Sequence, residues 1–327
     1  MKNIKIYGSG KSIPNKIIDN SFFKKTINKD DEWIFKKTGI KTRHIIEDVE
    51  EYITLITDSA SQSIKNSNVS IDEINLVIMA TSTPTNLFGG ASIIVNRLGI
   101  RNALAFDITL ACNGFNTAFY TAFQYLQNDN FKYALIIGCD CFSRWVDWSD
   151  YKTSILFGDG SGSILIGKDT EEGGLINYYY NTHCSQHDIL NIRMNERESE
   201  INSVKIKNNY YDCMFMNGKD VFNYVISNLP DFIVKSLRNA NLTLDEIKYI
   251  IPHQANQTIL NILAEKIGIS TNKILSNIEK YGNTSAASIP ILLNETISKN
   301  LLEKGDIILL LGFGAGMSSS IIIFKYA

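Results

Sequence analysis

The chain has 327 residues, 44% of them hydrophobic, with 32 Lys and Arg against 34 Asp and Glu for a net charge of −2. That length can bury a large core and suits two domains or one large α/β unit. The near-neutral balance, without a basic run, argues against nucleic acid or an anionic membrane as the main partner.

In chain order, Met1 to Gly8 reads as a short alternating strand followed by glycine. It lacks the apolar core and cleavage site of a signal peptide, so a cytoplasmic protein is expected. Five cysteines at 112, 139, 141, 184 and 213, odd in number and without paired spacing, agree with a reducing compartment. Residues 13–48 form a loop and a helix over Asp30 to Ile40 with Gly39 as its stop, and a second helix covers Tyr52 to Asn66. Ile71 to Ala80 is a turn feeding a buried strand.

The next apolar run, Phe106 to Leu110, ends at Ala111-Cys112-Asn113-Gly114, after which Phe115, Ala118, Phe119, Ala122, Phe123 and Leu126 keep the stripe of a buried helix. Cys112 is thereby placed at a helix N-terminus, where unpaired N–H groups and the helix dipole favour a thiolate nucleophile. Read alone, a buried and inert thiol is the commoner case. Cys139-Asp140-Cys141 closes the strand run Ala134 to Gly138, and a C-x-C without a second pair is weak evidence for a metal. Gly158-Asp159-Gly160-Ser161-Gly162 lacks the Lys-Ser/Thr of a phosphate loop and reads as a turn. Residues 169–213 are a polar connection in which Tyr178 to Tyr180 suit a strand and His183 to His187 a surface loop. Residues 218–240 are a long helix with Pro230 as an irregularity. The apolar runs Ile307 to Leu311 and Ile321 to Phe324 are interior strands, far short of the about 20 residues needed to cross a bilayer.

The chain repeats itself. Ile71 to Ala80 is answered by Leu244 to His253, Asn96 to Ile100 by Glu265 to Ile269, Lys132 to Gly138 by Asp306 to Gly312, and Ser161 to Ile166 by Ser318 to Ile323. Two halves of one plan follow, 1–170 and 171–327, each alternating β and α patterns so that mixed sheets carry helices on their faces. The loop ends of the halves then face one another. Cys112, His253 at a strand end and Asn283 before the second-half helix would converge on one pocket. Alone, His253 is a core histidine and Asn283 a helix cap.

Five stretches carry a family resemblance: Ala111 to Phe115, Phe157 to Gly162, Pro252 to Asn256, Gly282 to Ser288 and Gly312 to Gly316, with Asp31 to Ile34 and Thr38-Gly39-Ile40 before them. In order and spacing they resemble the signatures of β-ketoacyl-ACP synthase III, in the thiolase superfamily. The resemblance implies a thiolase-like α/β fold, two duplicated halves in a five-layered α-β-α-β-α sandwich. It implies that an acyl primer is loaded on Cys112 and then joined to malonyl-ACP by decarboxylative Claisen condensation. Cys112 and Ala315 backbone N–H groups would hold the tetrahedral oxyanion, and His253 and Asn283 the enolate. Metals and redox cofactors play no part, CoA or phosphopantetheine thioesters being substrates. The partners implied are acyl carrier protein and a second copy of the chain, whose Phe88 closes the acyl pocket.

Trp33 matches the family's adenine-stacking tryptophan, but Tyr151 stands where an arginine completes the grip, and Lys37 replaces another arginine. Lys152 is near enough in sequence to restore the charge. Gly218, Phe222 and Asn256 match pantetheine contacts, whereas a carrier-docking basic residue is replaced by Thr258. These departures predict that the primer arrives on a carrier protein more readily than on CoA. An acyltransferase passing the acyl group from Cys112 to a hydroxyl or amine is the alternative on the same scaffold.

Overall fold

A computed structural model describes residues 3–170 and 172–327, and in it the apolar runs form two sheets. The first holds β1 (Ile4–Ser12), β2 (Ile74–Ala80), β3 (Leu104–Ile108), β4 (Tyr133–Cys141) and β5 (Asp159–Lys168), in the order β1-β5-β4-β2-β3. The second holds β6 (Gly174–Thr182), β7 (Ile247–Pro252), β8 (Ile307–Gly314) and β9 (Ser318–Lys325), in the order β7-β8-β9-β6. β2 pairs parallel with β4 as β7 does with β8, while β4 with β5 and β8 with β9 are antiparallel. The duplication seen in the sequence is thus a duplication of topology. Beside β2 the first sheet adds β3; beside β7 the second has only a bridge from Ile274 to Ile250.

Period-two alternation sends each central strand's side chains to two different layers. Ala134 and Ile136 of β4 face inward onto helices α3 (Gly114–Leu126) and α6 (Ser288–Ser298), which lie between the sheets. Leu135, Ile137, Cys139 and Cys141 face α1 (Val49–Ser67) and α2 (Ala91–Leu98) on the outside. In the second sheet Ile308 and Leu310 face inward, while Leu309 and Leu311 meet α4 (Gly218–Asn239) and α5 (Gln257–Ile267). Helix, sheet, helix, sheet, helix are the five layers.

Four local expectations change. Asp159 to Gly162 is the start of β5 and not a turn, because Ser161 and Ser163 hydrogen-bond the hydroxyls of Ser59 and Ser63 while Gly162 lies against α6. The polar connection keeps the expected strand at Tyr178 to Tyr180 as β6, the edge strand of the second sheet, but adds an exposed hairpin of Met194–Ile201 with Val204–Tyr211. Pro230 does not interrupt α4: burial of Leu229, Phe232 and Ile233 offsets the hydrogen bond that proline costs. Cys184–Ile189 is a short 3₁₀ turn, with the side chains of Cys184 and Ser185 outside what is described, as are residues 1 and 2 of the N-terminal run. No described helix is long and apolar enough to cross a membrane.

Candidate active site

Cys112 sits in a 3₁₀ turn, Ala111–Asn113, that leads into α3; the matching turn Ser285–Ala287 leads into α6. Both turns begin on a left-handed residue that is not glycine, Ala111 at φ +46° and Ser285 at φ +51°. The turn buries the thiol at 6% exposure. Burial pushes its pKa from 9.0 up to about 12, with the Asp140 carboxylate adding to the shift and the Ser285 hydroxyl, 3.2 Å from Sγ, opposing it. That shift is about 4 kcal/mol, against at most about 2 kcal/mol from a helix terminus. The sequence expectation of a resting thiolate is therefore corrected: the resting group is a thiol.

His253 follows β7 and is buried, which pushes its pKa down to about 3 and keeps the ring neutral. Its Nδ1 lies 2.8 Å from Ser288 Oγ, which is also 2.8 Å from the Ser285 carbonyl. When the hydroxyl proton turns to Nδ1, the ring presents Nε2–H to the cavity. Asn283 is pinned by its backbone, its N–H donating to Leu156 O at 2.9 Å and its carbonyl accepting from Gly158 N–H at 3.0 Å. A Cβ on Gly158 would meet Tyr281 O at 2.3 Å, so this close pairing requires glycine. The Asn283 Oδ1 accepts from Ser285 N–H at 2.8 Å, which leaves the amide N–H₂ as its free end.

A pH dependence follows. The unfolded chain protonates His253 below about pH 6.5 and the folded chain does not until about pH 3. Stability should be lost as pH falls through this window, by about 2 kcal/mol between pH 6.5 and 5. Urea unfolding midpoints across that range should show the loss, and His253→Gln should flatten it.

Cys112, His253 and Asn283 line one cavity of about 150 Å³ together with Gly218, Phe222 and Asn256. Its walls are apolar, among them Leu156, Val221, Phe313 and Met317, and Phe313 meets the His253 ring edge-on at 5.0 Å. Gly314 lies so close that a Cβ would reach Cys112 N at 3.0 Å, and Ala315 follows it in the chain. Gly316, at φ +69°, and Met317, at φ +48°, take the left-handed turn, so Ala315 is free to carry its methyl. Asn256 also caps α5 at Thr258 N–H, 2.8 Å, and donates to Lys37 O at 3.0 Å.

The remaining predicted contacts lie outside the cavity. Trp33 and Tyr151 touch edge to face at 5.8 Å beside Leu156, and Lys37 is exposed. Lys29 supplies the charge there, with Nζ 4.5 Å from the Trp33 ring and 5.4 Å from Tyr151. Phe88 is 100% exposed and its own chain does not bring it to the site. Sequence reasoning passed over Asp140, Ser285 and Ser288. Asp140 was in view between two cysteines, and strand alternation points it to the opposite face from them.

Two family models match, 3-oxoacyl-[acyl-carrier-protein] synthase III over residues 106–184 and its C-terminal part over 237–326. A β-ketoacyl-[acyl-carrier-protein] synthase III of Trichodesmium erythraeum is 39% identical over 324 residues, 99% of this chain and 98% of that one. The chain belongs to the β-ketoacyl-ACP synthase III family. The crystal structure of the 3-oxoacyl-[acyl-carrier-protein] synthase III of Aquifex aeolicus covers 99% of this chain and 100% of its own, with a TM-score of 0.89 and 32% identity. The priming β-ketosynthase of the R1128 polyketide pathway, at 26% identity, also gives 0.89 over 99% of this chain and 96% of its own. This member of the synthase III family is a condensing enzyme of the acyltransferase class with a thiolase fold.

Proposed function

We propose that Cys112 accepts the acyl primer and that His253 and Asn283 then stabilise the enolate formed when a malonyl thioester loses carbon dioxide. The observation that carries this is the shared cavity, in which a buried thiol, a neutral imidazole and an amide N–H₂ meet. An enolate oxygen needs donors and not a strong base, so an un-ionisable amide suffices. In the first half-reaction the sulfur bonds the acyl carbon, the oxyanion rests on the N–H groups of Cys112 and Ala315, and the released thiol carries away the proton. In the second, the enolate carbon attacks acyl-Cys112, and the sulfur leaves as β-ketoacyl-ACP forms. No step calls on a metal or redox cofactor. Acyl carrier protein is the partner for the malonyl group, and transfer to a hydroxyl or amine is not favoured. Intact mass of Cys112 after a panel of acyl thioesters, with carbon dioxide release from malonyl-ACP, tests the reading.

The primer donor is proposed to be a carrier protein. An adenine held between two rings needs about 7 Å, twice a contact distance of about 3.5 Å. Trp33 and Tyr151 instead touch each other, and Lys29 covers the Trp33 ring. Single-turnover acylation of Cys112 by one acyl group on CoA and on carrier protein should be faster from the carrier. Faster transfer from CoA at equal concentration would sink the idea.

The working unit is proposed to be a cytoplasmic homodimer. β3 is an open sheet edge with Leu104 45% exposed, and the neighbouring loop displays Leu87 and Phe88 at 79% and 100%. That loop is held in place by the Asp107 carboxylate, which accepts from Gly90 and Ala91 N–H at 2.7 and 2.8 Å. Edge pairing across a two-fold axis would cover this apolar patch and bring Phe88 of a second copy toward the acyl slot. Sedimentation at micromolar concentration should give a dimer, and a monomer would contradict the shared slot.

A further inference from the structure

One side chain at the site has no role in the chemistry above and touches the reacting sulfur. Ser285 is fully buried, and its Oγ lies 3.2 Å from Cys112 Sγ. In the structure it donates to the sulfur, and the same hydroxyl also helps hold the charge of the nearby Asp140 carboxylate. It has one proton for two acceptors. Asp140 meanwhile accepts from Ser82 N–H at 2.7 Å, Ala286 N–H at 3.1 Å, Thr83 Oγ1 at 3.1 Å and Thr81 Oγ1 at 3.2 Å. With four other donors it loses little when the hydroxyl turns away.

We infer that Ser285 is a fourth catalytic residue, a rotating hydroxyl that hydrogen-bonds the Cys112 sulfur whenever it is anionic. This rests on the reading of Cys112 as the acyl-carrying nucleophile. With the thiol protonated, S–H donates to Oγ and the hydroxyl donates to Asp140. When the acyl carbon forms its new C–C bond and the C–S bond breaks, the electron pair stays on sulfur and the hydroxyl turns to it. Ser285 keeps its proton throughout, so no base or further reactant is required. The backbone supports the assignment: a serine at φ +51° holds a conformation that glycine adopts without strain. Keeping a side chain there sets the hydroxyl against the sulfur.

The test is the rate at which Cys112 is alkylated by iodoacetamide, followed by intact mass from pH 7 to 9 in wild type, Ser285→Gly and Ser285→Ala. Losing a hydrogen bond to a charged group should slow alkylation about tenfold or more at every pH, with the pH slope unchanged. The sign separates this from a space-filling role, because removing the hydroxyl opens room around the sulfur and would by itself speed alkylation. Ser285→Gly suits the left-handed backbone and should unfold at no lower temperature than wild type. Alkylation within twofold of wild type, or faster, in both variants overturns the inference. The assay needs no acyl thioester, so a Cys112 that no thioester acylates would refute the condensing mechanism while leaving this test readable.

Discussion

Cys112→Ser is expected to lower condensation by at least about a thousandfold, because the nucleophile that replaces the thiol has nothing to ionise it. Burial already pushes the thiol up to about 12, and an alkoxide in the same pocket is far harder to form. His253 is no remedy, since burial that holds its pKa near 3 leaves it a feeble proton acceptor. Decarboxylation of malonyl-ACP should fall much less, as the enolate donors stand after β7 and before α6 and not on the cysteine turn. Acylation of the protein by intact mass and carbon dioxide release from malonyl-ACP read the two half-reactions separately. Condensation by Cys112→Ser at the wild-type rate would end the mechanism.

Asn283→Asp should show the reverse pattern. The substitution is nearly isosteric, and one carboxylate oxygen can still accept from Ser285 N–H as Oδ1 does at 2.8 Å. The other end changes from a donor into an acceptor facing the enolate oxygen. Removing one oxyanion donor costs about 10²- to 10³-fold, and a negative charge in its place can only add to that. Decarboxylation should fall by at least this factor while acyl loading of Cys112 falls less. Equal losses in both half-reactions would place Asn283 in the support of the site and not in the enolate step.

The duplicated plan was legible because it rests on periodicity. The strand runs at Ile74 and Ile247, the buried stripe after Cys112 and the repeat between the halves are all patterns of apolar spacing, which sheets and helices impose directly. The convergence of Cys112, His253 and Asn283 could be read from that plan, since matched strand ends meet. Distances between hydroxyls and a sulfur are not periodic. Ser285 and Ser288 look like ordinary small residues at a helix start, and only tertiary packing gives them partners, Cys112 for the first and His253 for the second. The thiol's pKa was misread for a related reason: a helix N-terminus is visible in sequence, whereas the depth at which it is buried is not. The aromatic pair outside the cavity was half legible. Trp33 and Tyr151 could be named, but Lys29 reaches them only through the turn before the helix Asp31–Thr38.

Ala111 and Ser285 occupy the same place in the two halves, each in a backbone conformation that costs a residue with a Cβ about 1 kcal/mol or more. A lineage under selection for heat resistance would therefore meet two equivalent opportunities to exchange a strained residue for glycine. Only one is without consequence. The methyl of Ala111 has no part in the chemistry, so that half can take the relief, while the half that carries Ser285 would trade away the group beside the sulfur. The inheritance of one turn in two copies gives the protein a place to adapt its endurance and a place where adaptation is closed.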